Sequence, residues 1–237
     1  MWPGARAMTE DDYSKLDYRR FPAFQRGFRL LCRAFLYLAV RLKVEGIENI
    51  PSSGGVVLAG NHVNFWLDMP IYYCAVPRRT VSFAAARWKS VLLVGWLLNH
   101  ASDAIYVRRG RPDTEALNQA LCVLRAGGAL AIAPEGTLSH DGRLLRGRPG
   151  FAYLATMAPA PVVPVASYGQ DRAWYFWKRL RRVPVTVRMG PRIELPAGKA
   201  GRADLRQYTD RVMTTMAVML PVEKRGFYED RIPDKSD

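Results

Sequence analysis

The chain has 237 residues, of which 49% are hydrophobic, and its 35 Lys and Arg outnumber 21 Asp and Glu to give a formal net charge of +14. This length fits one large domain that buries roughly 70% of the surface exposed by the unfolded chain, and the composition excludes a disordered protein. The positive charge indicates an anionic partner, which is a membrane surface, a nucleic acid or a phosphorylated substrate.

The cysteines and the N-terminal residues bear on the compartment. Cys32, Cys74 and Cys122 are widely spaced and form no C-x-x-C pair. An odd and scattered set argues against a disulfide framework, so we expect reduced cysteines in a cytosolic environment. Residues 1–20 lack the apolar core of a secretory signal, and no run of about 20 apolar residues predicts a transmembrane helix.

The first clear helix is predicted over residues 28–42, which are almost all apolar apart from arginines. Arg26, Arg29 and Arg33 fall at positions i, i+3 and i+7, which places them on one face of the helix. A helix of this kind either lies in a membrane interface or packs on the core with its arginines in solvent. We expect residues 1–43 to form an N-terminal membrane-associated helical segment.

Residues 44–237 are predicted to form one domain in which strands alternate with helices. The predicted strands are 56–60, 80–85, 129–133, 161–167 and 184–189. The predicted helices are 70–75, 91–98, one that starts at Pro112 and Asp113 and ends at Gly127 and Gly128, and 202–220, followed by a frayed tail at 231–237. This alternation predicts an α/β fold, a mostly parallel sheet flanked by helices, behind an amphipathic N-terminal helix.

Two of the predicted strands are followed by residues that suit proton transfer. His62 follows strand 56–60, and Asp68 is the nearest acidic residue in sequence, while Glu135 follows strand 129–133. Open α/β sheets bind ligands beyond the carboxyl ends of their strands. A neutral imidazole accepts a proton more effectively when a carboxylate holds its tautomer. His62 and Asp68 are therefore either a general base with its orienting group or a structural hydrogen bond.

Four short blocks occur in order along the chain. They are Asn61-His62 with Asp68, Ile105-Tyr106-Val107-Arg108-Arg109, Pro134-Glu135-Gly136-Thr137, and Val162-Val163-Pro164-Val165. In residue type and order these blocks resemble blocks I to IV of the glycerophospholipid acyltransferase family, the PlsC-like lysophosphatidate acyltransferases. The resemblance covers roughly residues 40–220, and its third block is the most specific.

The resemblance implies a reaction and a set of site residues. His62 is expected to deprotonate the acceptor hydroxyl, and Asp68 to orient His62. The hydroxyl then attacks the thioester carbonyl of an acyl-CoA or acyl carrier protein, with no acyl-enzyme, no metal and no cofactor beyond this co-substrate. The residues implied to bind substrate are Asn61, Arg109, Glu135, Gly136, Thr137 and Arg148. Those implied to shape the acyl-donor site are Val163, Pro164 and Val165.

Two departures from the family pattern concern the acceptor. Five residues separate His62 from Asp68 where the family usually has four, and Leu138 stands where the family usually has arginine. Arg109 is the first candidate to supply the missing charge, and Arg143, Arg146 and Arg148 are the other candidates. The expected acceptor is a lysophospholipid of the lysophosphatidate type, and the alternatives are a glycolipid, an ornithine lipid or a sterol-like alcohol.

Residues 174–182 join aromatic to basic side chains, a composition that suits lipid headgroups, nucleic acid, or a solvated edge over the core. No groove-reading or RNA-binding motif is visible, so no nucleic acid is expected. We expect a peripheral or monotopic protein on the cytoplasmic face of an anionic membrane, with a lysolipid acceptor and an acyl thioester donor. The alternative is a non-catalytic basic protein that binds membrane or nucleic acid. His100 and His140 have no second ligand at metal spacing.

Overall fold

The structure, a computed structural model, describes residues 8–108 and 113–232, apart from the side chain of Phe65. Its strands are β1 Val40–Glu45, β2 Val56–Gly60, β3 Thr80–Ala85, β4 Ile105–Val107, β5 Ala129–Ile132, β6 Val162–Tyr168 and β7 Val183–Met189. Its α-helices are α1 Glu10–Ser14, α2 Ala23–Ala39, α3 Phe65–Ala75, α4 Leu92–Ser102, α5 Thr114–Arg125, α6 Gly150–Met157, α7 Ala173–Trp177 and α8 Arg202–Met219.

The strands form one seven-stranded sheet in the order β1-β7-β6-β2-β5-β3-β4. Every neighbouring pair is parallel except β6 and β7, which are antiparallel. Parallel neighbours need long crossover connections, and helices supply them here. The predicted α/β fold with a mostly parallel sheet is confirmed. β2 lies at the centre between β5 and β6, so the carboxyl ends of these three strands share one edge of the sheet.

The central strands are buried on both faces because helices cover both sides of the sheet. Successive side chains of a strand point to opposite faces. Val57 of β2 packs in a cluster that includes Phe151 of α6 and Val212 of α8. Its neighbour Leu58 packs in a second cluster, with Leu67 of α3. These two layers fix the strand ends from which the site is built.

Helix α3 begins earlier than the sequence pattern predicts. The side-chain oxygen of Asn64 accepts the backbone N–H groups of Trp66 and Leu67 at 3.0 and 3.1 Å, which is an N-cap. The helix therefore starts at Phe65, and the predicted start at residue 70 is wrong. Pro70 lies inside the helix, and Asp68 lies in its first turn.

The predicted helix 28–42 is displaced toward the N-terminus. Helix α2 ends at Ala39, and β1 starts at the next residue, Val40. Residues 40–44 alternate apolar with basic side chains, a pattern of period two that suits a strand. β1 pairs with β7 from Val40 opposite Val183 onward, which overrides the helical propensity of the segment. This strand crosses the division predicted after residue 43, so the N-terminal segment shares the sheet.

Helix α2 turns its large apolar side chains outward. The residues on its inner face are Gln25, Arg29, Cys32 and Leu36. Leu30 and Leu38 are 64% and 74% exposed. The alternative in which Arg26, Arg29 and Arg33 all lie in solvent is wrong for Arg29, which is buried and donates to the Cys74 carbonyl oxygen at 3.1 Å. Within the described ranges, no helix combines the length and hydrophobicity needed to cross a bilayer.

The remaining elements agree with the sequence pattern to within a few residues. The strands predicted at 56–60 and 80–85 match β2 and β3, and three others differ by one residue at one or both ends. Asp113 caps α5, as its Oδ1 accepts the N–H of Ala116, whereas Pro112 lies outside the described residues. Helices α1, α6 and α7 carry no strong signal and were not predicted. Residues 233–237 of the predicted tail also lie outside the described residues.

Candidate active site

Three loops meet at the edge of the sheet where β2, β5 and β6 end. His62 lies two residues beyond β2, Glu135 three beyond β5, and Gln170 two beyond β6. Because these strands are parallel, their carboxyl ends present the loops on the same side. Hydrogen bonds join all three loops, so residues far apart in sequence form one site.

His62 and Asp68 form the hydrogen-bonded pair that the sequence suggests. His62 Nδ1 lies 2.7 Å from Asp68 Oδ2, and the two side chains are 29% and 5% exposed. The same carboxylate oxygen accepts the backbone N–H groups of Val63 and Asn64 at 2.8 and 2.9 Å. A carboxylate can only accept, so Nδ1 carries the proton and Nε2 keeps a free lone pair. The five intervening residues are accommodated by the early start of α3.

Gln170 supplies the other side of the Asp68 carboxylate. Its Nε2 donates to Asp68 Oδ1 at 3.1 Å and to Ser167 Oγ at 2.6 Å. Gln170 is fully buried, and 102 residues separate it from Asp68 in sequence. No local sequence pattern points to Gln170, because glutamine has no characteristic place after a strand. Only the placement of β6 beside β2 brings the two side chains together.

Asn61 links the end of β2 to β6. Its Nδ2 donates to the Ser167 carbonyl oxygen at 2.8 Å, and its Oδ1 accepts the Ser167 N–H at 2.7 Å. The hydroxyl of Tyr72 donates to the Asn61 carbonyl oxygen at 2.8 Å. The Asn61 side chain is buried and fixes the backbone that leads into His62. Its implied contact with substrate stays a prediction.

Glu135 joins the His62 loop to the loop that follows β5. Its Oε1 accepts the backbone N–H of His62 at 3.1 Å, and its Oε2 accepts that of Leu145 at 2.9 Å. Burial raises the pKa of Glu135 to about 7, and the two backbone donors offset part of this rise. The carboxyl group thus joins the backbone of the base-bearing loop to the loop that follows β5. Its implied contact with the polar head of the acceptor stays a prediction.

The turn after Glu135 brings Arg148 to the site. Gly136 has φ of +67°, and a Cβ there would lie 3.0 Å from Cδ and Nε of Arg148, so this side chain crosses the glycine. The Arg148 N–H donates to the Pro134 carbonyl oxygen at 2.8 Å. Arg148 is exposed and Thr137, which ends the block, is half-buried. The conformation of the turn needs glycine at 136 and leaves a guanidinium lying over it.

Three of the four arginines that are candidates to replace the missing charge at Leu138 are described, and they differ in their surroundings. Arg143 pairs with Glu229 at 3.0 Å. The Arg146 guanidinium lies over the Phe227 ring, 5.4 Å from its centroid. Arg148 is the one that lies against Gly136 of the third block.

Arg109 is among the residues that the structure does not describe, so its implied phosphate contact stays a prediction. Val163, Pro164 and Val165 are buried in β6 beside β2, with Pro164 opposite Ala59 and Val165 opposite Gly60. Their implied role at the acyl-donor site also stays a prediction.

Replacing Glu135 with glutamine should remove one source of pH dependence from stability. The pKa of Glu135 is raised from 4.5 to about 7, so the folded protein retains a proton that the unfolded chain releases. The resulting stabilisation is complete below about pH 4.5 and is lost as the pH rises through about 7, by at most about 3 kcal/mol. Urea unfolding of both proteins between about pH 5 and pH 8 measures the effect.

The difference in unfolding free energy between the unmodified protein and Glu135→Gln should fall as the pH rises. The other titrating groups are shared by both proteins and cancel in this difference. A difference that is constant across the pH range would contradict the raised pKa of Glu135.

Comparison with known proteins gives a consistent family. The family model described as Acyltransferase matches residues 41–168, more than half of the chain. A 1-acyl-sn-glycerol-3-phosphate acyltransferase of Limnanthes douglasii is 30% identical over 158 residues, covering 65% of this chain and 55% of that protein. A lyso-ornithine lipid O-acyltransferase of Pseudomonas aeruginosa is 36% identical over 114 residues, covering 47% and 42%.

A solved structure shares the fold. The crystal structure of the 1-acyl-sn-glycerophosphate acyltransferase PlsC from Thermotoga maritima matches with a TM-score of 0.62 and 25% identity, over 79% of this chain and 76% of that one. The chain spans about half the length of the curated relatives it matches, with 55%, 44% and 46% of three of them covered.

Proposed function

The chain belongs to the PlsC-like Acyltransferase family, and from that premise we propose that it moves a fatty acyl chain from a thioester to the hydroxyl of a lysolipid. The observation that carries the proposal is the 2.7 Å hydrogen bond from His62 Nδ1 to Asp68 Oδ2. It leaves Nε2 as a proton acceptor on a side chain that is 29% exposed at the edge of the sheet. This is the arrangement that a general base requires.

The proposed reaction follows from this geometry. Nε2 of His62 takes the proton of the acceptor hydroxyl as its oxygen attacks the thioester carbonyl carbon. The Asp68 carboxylate stabilises the imidazolium that forms. The tetrahedral intermediate collapses with cleavage of the carbon–sulfur bond, and the proton passes from the imidazolium to the departing thiolate. The donor is acyl-CoA or acyl carrier protein, and no cofactor beyond this thioester takes part in the proposed steps.

Two acceptor classes are supported by specific observations. The relative from Limnanthes douglasii and the Thermotoga maritima structure favour a lysophosphatidate-type acceptor, and we propose that the exposed Arg148 beside Gly136 binds its phosphate. The relative from Pseudomonas aeruginosa and the leucine at position 138 favour a lyso-ornithine lipid instead. We propose the lysophosphatidate-type acceptor first, because more of the relatives carry that name.

An acyl-transfer assay over a panel of acceptors tests the proposal. The purified chain is incubated in mixed lipid vesicles with lysophosphatidate, lysophosphatidylcholine, lyso-ornithine lipid or a lysoglycolipid, with acyl-CoA and acyl carrier protein donors in separate arms. Transfer to lysophosphatidate from either donor supports the first acceptor. Transfer restricted to the ornithine lipid supports the second. Absence of transfer to any acceptor would leave a non-catalytic binding protein as the better description.

We also propose that the protein docks on an anionic membrane through a surface centred on α2. The outer apolar surface consists of Leu30, Leu31, Phe35, Tyr37 and Leu38 of α2, Leu92, Leu93 and Trp96 at α4, and Trp174, Tyr175 and Leu180 at α7. Ring contacts make it continuous. Phe24 of α2 lies 5.2 Å from Trp96, and Phe35 lies 6.4 Å from Trp177 of α7, between ring centroids.

Basic side chains border the outer apolar surface. The Arg179 guanidinium lies 3.8 Å from the centroid of the Tyr175 ring, Lys178 lies over Trp174, and Arg182 lies over Tyr37. Aromatic rings with adjoining cations suit the headgroup region of a bilayer that contains anionic lipid. An exposed apolar patch of this extent needs a partner, and a lipid surface matches both its hydrophobicity and its charge. The cytoplasmic face is the proposed location.

Replacing Leu31 with aspartate should weaken binding to vesicles that contain anionic lipid by at least about 10-fold. Leu31 is 70% exposed, and burial of a leucine side chain in the acyl region contributes about 1.5–3 kcal/mol. High salt should weaken the binding of the unmodified protein without abolishing it, because the apolar contribution is not screened. Co-sedimentation at two salt concentrations measures both effects.

Val222→Asp is the matched control, since Val222 is 53% exposed but lies outside the outer apolar surface. This variant should bind vesicles as the unmodified protein does. Equal partition to neutral and anionic vesicles would remove the electrostatic part of the proposal. Binding unaffected by Leu31→Asp would remove the apolar part, and a preference for DNA over vesicles would overturn both.

A further inference from the structure

We propose that Gln170 is a positioning residue that fixes the orientation of the Asp68 carboxylate, and through it the tautomer and ring orientation of His62. The inference rests on the proposed function, in which His62 is the base. Gln170 donates one amide hydrogen to Asp68 Oδ1 at 3.1 Å and the other to Ser167 Oγ at 2.6 Å. Both hydrogens of the Gln170 amide are therefore used in these two contacts.

The contact with Gln170 reaches the Asp68 oxygen that the base-bearing loop does not hold. The donors to Oδ2 are His62 Nδ1 and the N–H groups of Val63 and Asn64, all from the loop that carries the base. These three donors all contact one oxygen and all come from one loop, so they tie the carboxylate only to the loop that carries the base. A donor to Oδ1 from a different loop ties it to β6 as well. Gln170 is the donor that the structure places there.

The negative charge of Asp68 determines which end of the Gln170 amide faces it, the NH₂ group or the oxygen. A rotated amide would bring its oxygen against Oδ1, and two acceptors would then repel each other. In the observed orientation, Gln170 Oε1 is buried and has no hydrogen-bond partner among the described residues. An unpaired buried acceptor is unfavourable for folding. The unpaired Oε1 therefore indicates that Gln170 is present for its contact with Asp68 and not for its contribution to folding stability.

Gln170 is itself held by a closed circuit of hydrogen bonds. Ser167 Oγ, which accepts from Gln170, lies 3.0 Å from the Tyr72 hydroxyl. Tyr72 in turn donates to the Asn61 carbonyl oxygen at 2.8 Å, one residue before His62. The hydrogen bonds therefore run from the His62 ring through Asp68, Gln170, Ser167 and Tyr72 to the backbone of Asn61, the residue before His62. Motion of any member is opposed by its neighbours on both sides.

The backbone before Gln170 is shaped to bring the amide inward. Gly169 has φ of +102°, and a Cβ at this position would lie 2.2 Å from the Pro184 carbonyl oxygen. Only glycine permits this turn, which ends β6 and directs the next residue into the site. Asn64 Nδ2 donates to the Gln170 carbonyl oxygen at 3.1 Å, so the N-cap of α3 also holds the Gln170 backbone.

Gln170→Met tests the proposal, because methionine has a similar volume and donates no hydrogen bond. We expect kcat to fall about 10- to 100-fold, the effect of losing one hydrogen bond to a charged group, with both KM values nearly unchanged. Gln170→Glu should lose activity near pH 8. Its activity relative to the unmodified enzyme should recover as the pH falls, since a protonated carboxyl group again donates to Asp68.

Gln25→Met is the matched control. Gln25 is another buried glutamine whose Nε2 donates to a buried aspartate, Asp103, at 2.9 Å, away from the site. This variant should lose thermal stability while retaining kcat per folded molecule. An equal loss of kcat in Gln25→Met would show that the effect reflects general destabilisation, and would overturn the proposal.

A spectroscopic measurement separates failure of this inference from failure of the proposed function. NMR of the protein with 15N-labelled histidine reports the tautomer of His62, whose signals are identified by their loss in His62→Ala. Gln170→Met should shift the His62 ring nitrogens and Gln25→Met should not, whether or not any acceptor is acylated. Unchanged His62 signals in folded Gln170→Met would overturn the positioning role.

Discussion

Replacing His62 with alanine should lower kcat for acyl transfer by about 10²–10⁴-fold, the usual contribution of a positioned general base. The variant loses the Nε2 lone pair of His62, which is free to take the acceptor proton. Its fold should persist, because the hydrogen bond from the His62 backbone to Glu135 Oε1 does not involve the imidazole. Steady-state rates on the best acceptor of the panel measure the loss, and circular dichroism measures the fold.

His140→Ala is the control for this result. His140 is also a histidine, and it lies exposed on the surface. Its removal should leave kcat within about twofold of the unmodified value. Near-normal turnover by His62→Ala would show that a different group takes the proton, and the assignment of the base would have to be abandoned.

Replacing Asp68 with asparagine should lower kcat by about 10²–10⁴-fold although the side chain keeps its size. The carboxylate accepts three N–H groups on Oδ2 and one on Oδ1, from Gln170. Either orientation of an asparagine amide turns its NH₂ group toward at least one of these donors. The His62 tautomer with Nδ1–H is then no longer enforced, and no negative charge remains to stabilise the imidazolium.

The loss should appear in kcat, with little change in the KM of the thioester donor. Asp204→Asn provides the control, because Asp204 lies in the first turn of α8 and accepts the N–H of Gly201. That change should alter stability slightly and turnover not at all. An Asp68→Asn enzyme with normal kcat would show that the pair is a structural hydrogen bond, the alternative that the sequence leaves open.

Five of the seven described strands and the base-bearing loop were predictable because their signals are local. The run 56–60 is a short apolar segment that ends in Gly60, and His62 follows one residue later, after Asn61. The pair of His62 with Asp68 lies within one loop and one helical turn, so spacing alone suggests it. The boundary between α2 and β1 was not predictable to the residue, since residues 40–42 are compatible with either state and the pairing with β7 decides between them.

The partners of the site residues lie beyond what a sequence pattern can show. The motif supplies Asn61 and Glu135 as residue types, but their hydrogen bonds to Ser167, His62 and Leu145 depend on how the loops meet. Gln170 has no motif at all, and its contact with Asp68 arises from the order of β2 and β6 in the sheet. The outward direction of the α2 leucines likewise depends on which face of the helix meets α3.

Helix α2 passes into strand β1 without an intervening residue, from Ala39 to Val40. A helix that met the sheet through a flexible linker could tilt independently of it. Here the first residue after the helix is already paired with β7, so the end of the helix is held rigidly against the sheet. If α2 rests on a lipid surface, the height and tilt of His62 above the headgroups are set by the protein alone. An acceptor is then used only if its hydroxyl extends far enough from the bilayer to come within hydrogen-bond distance of His62.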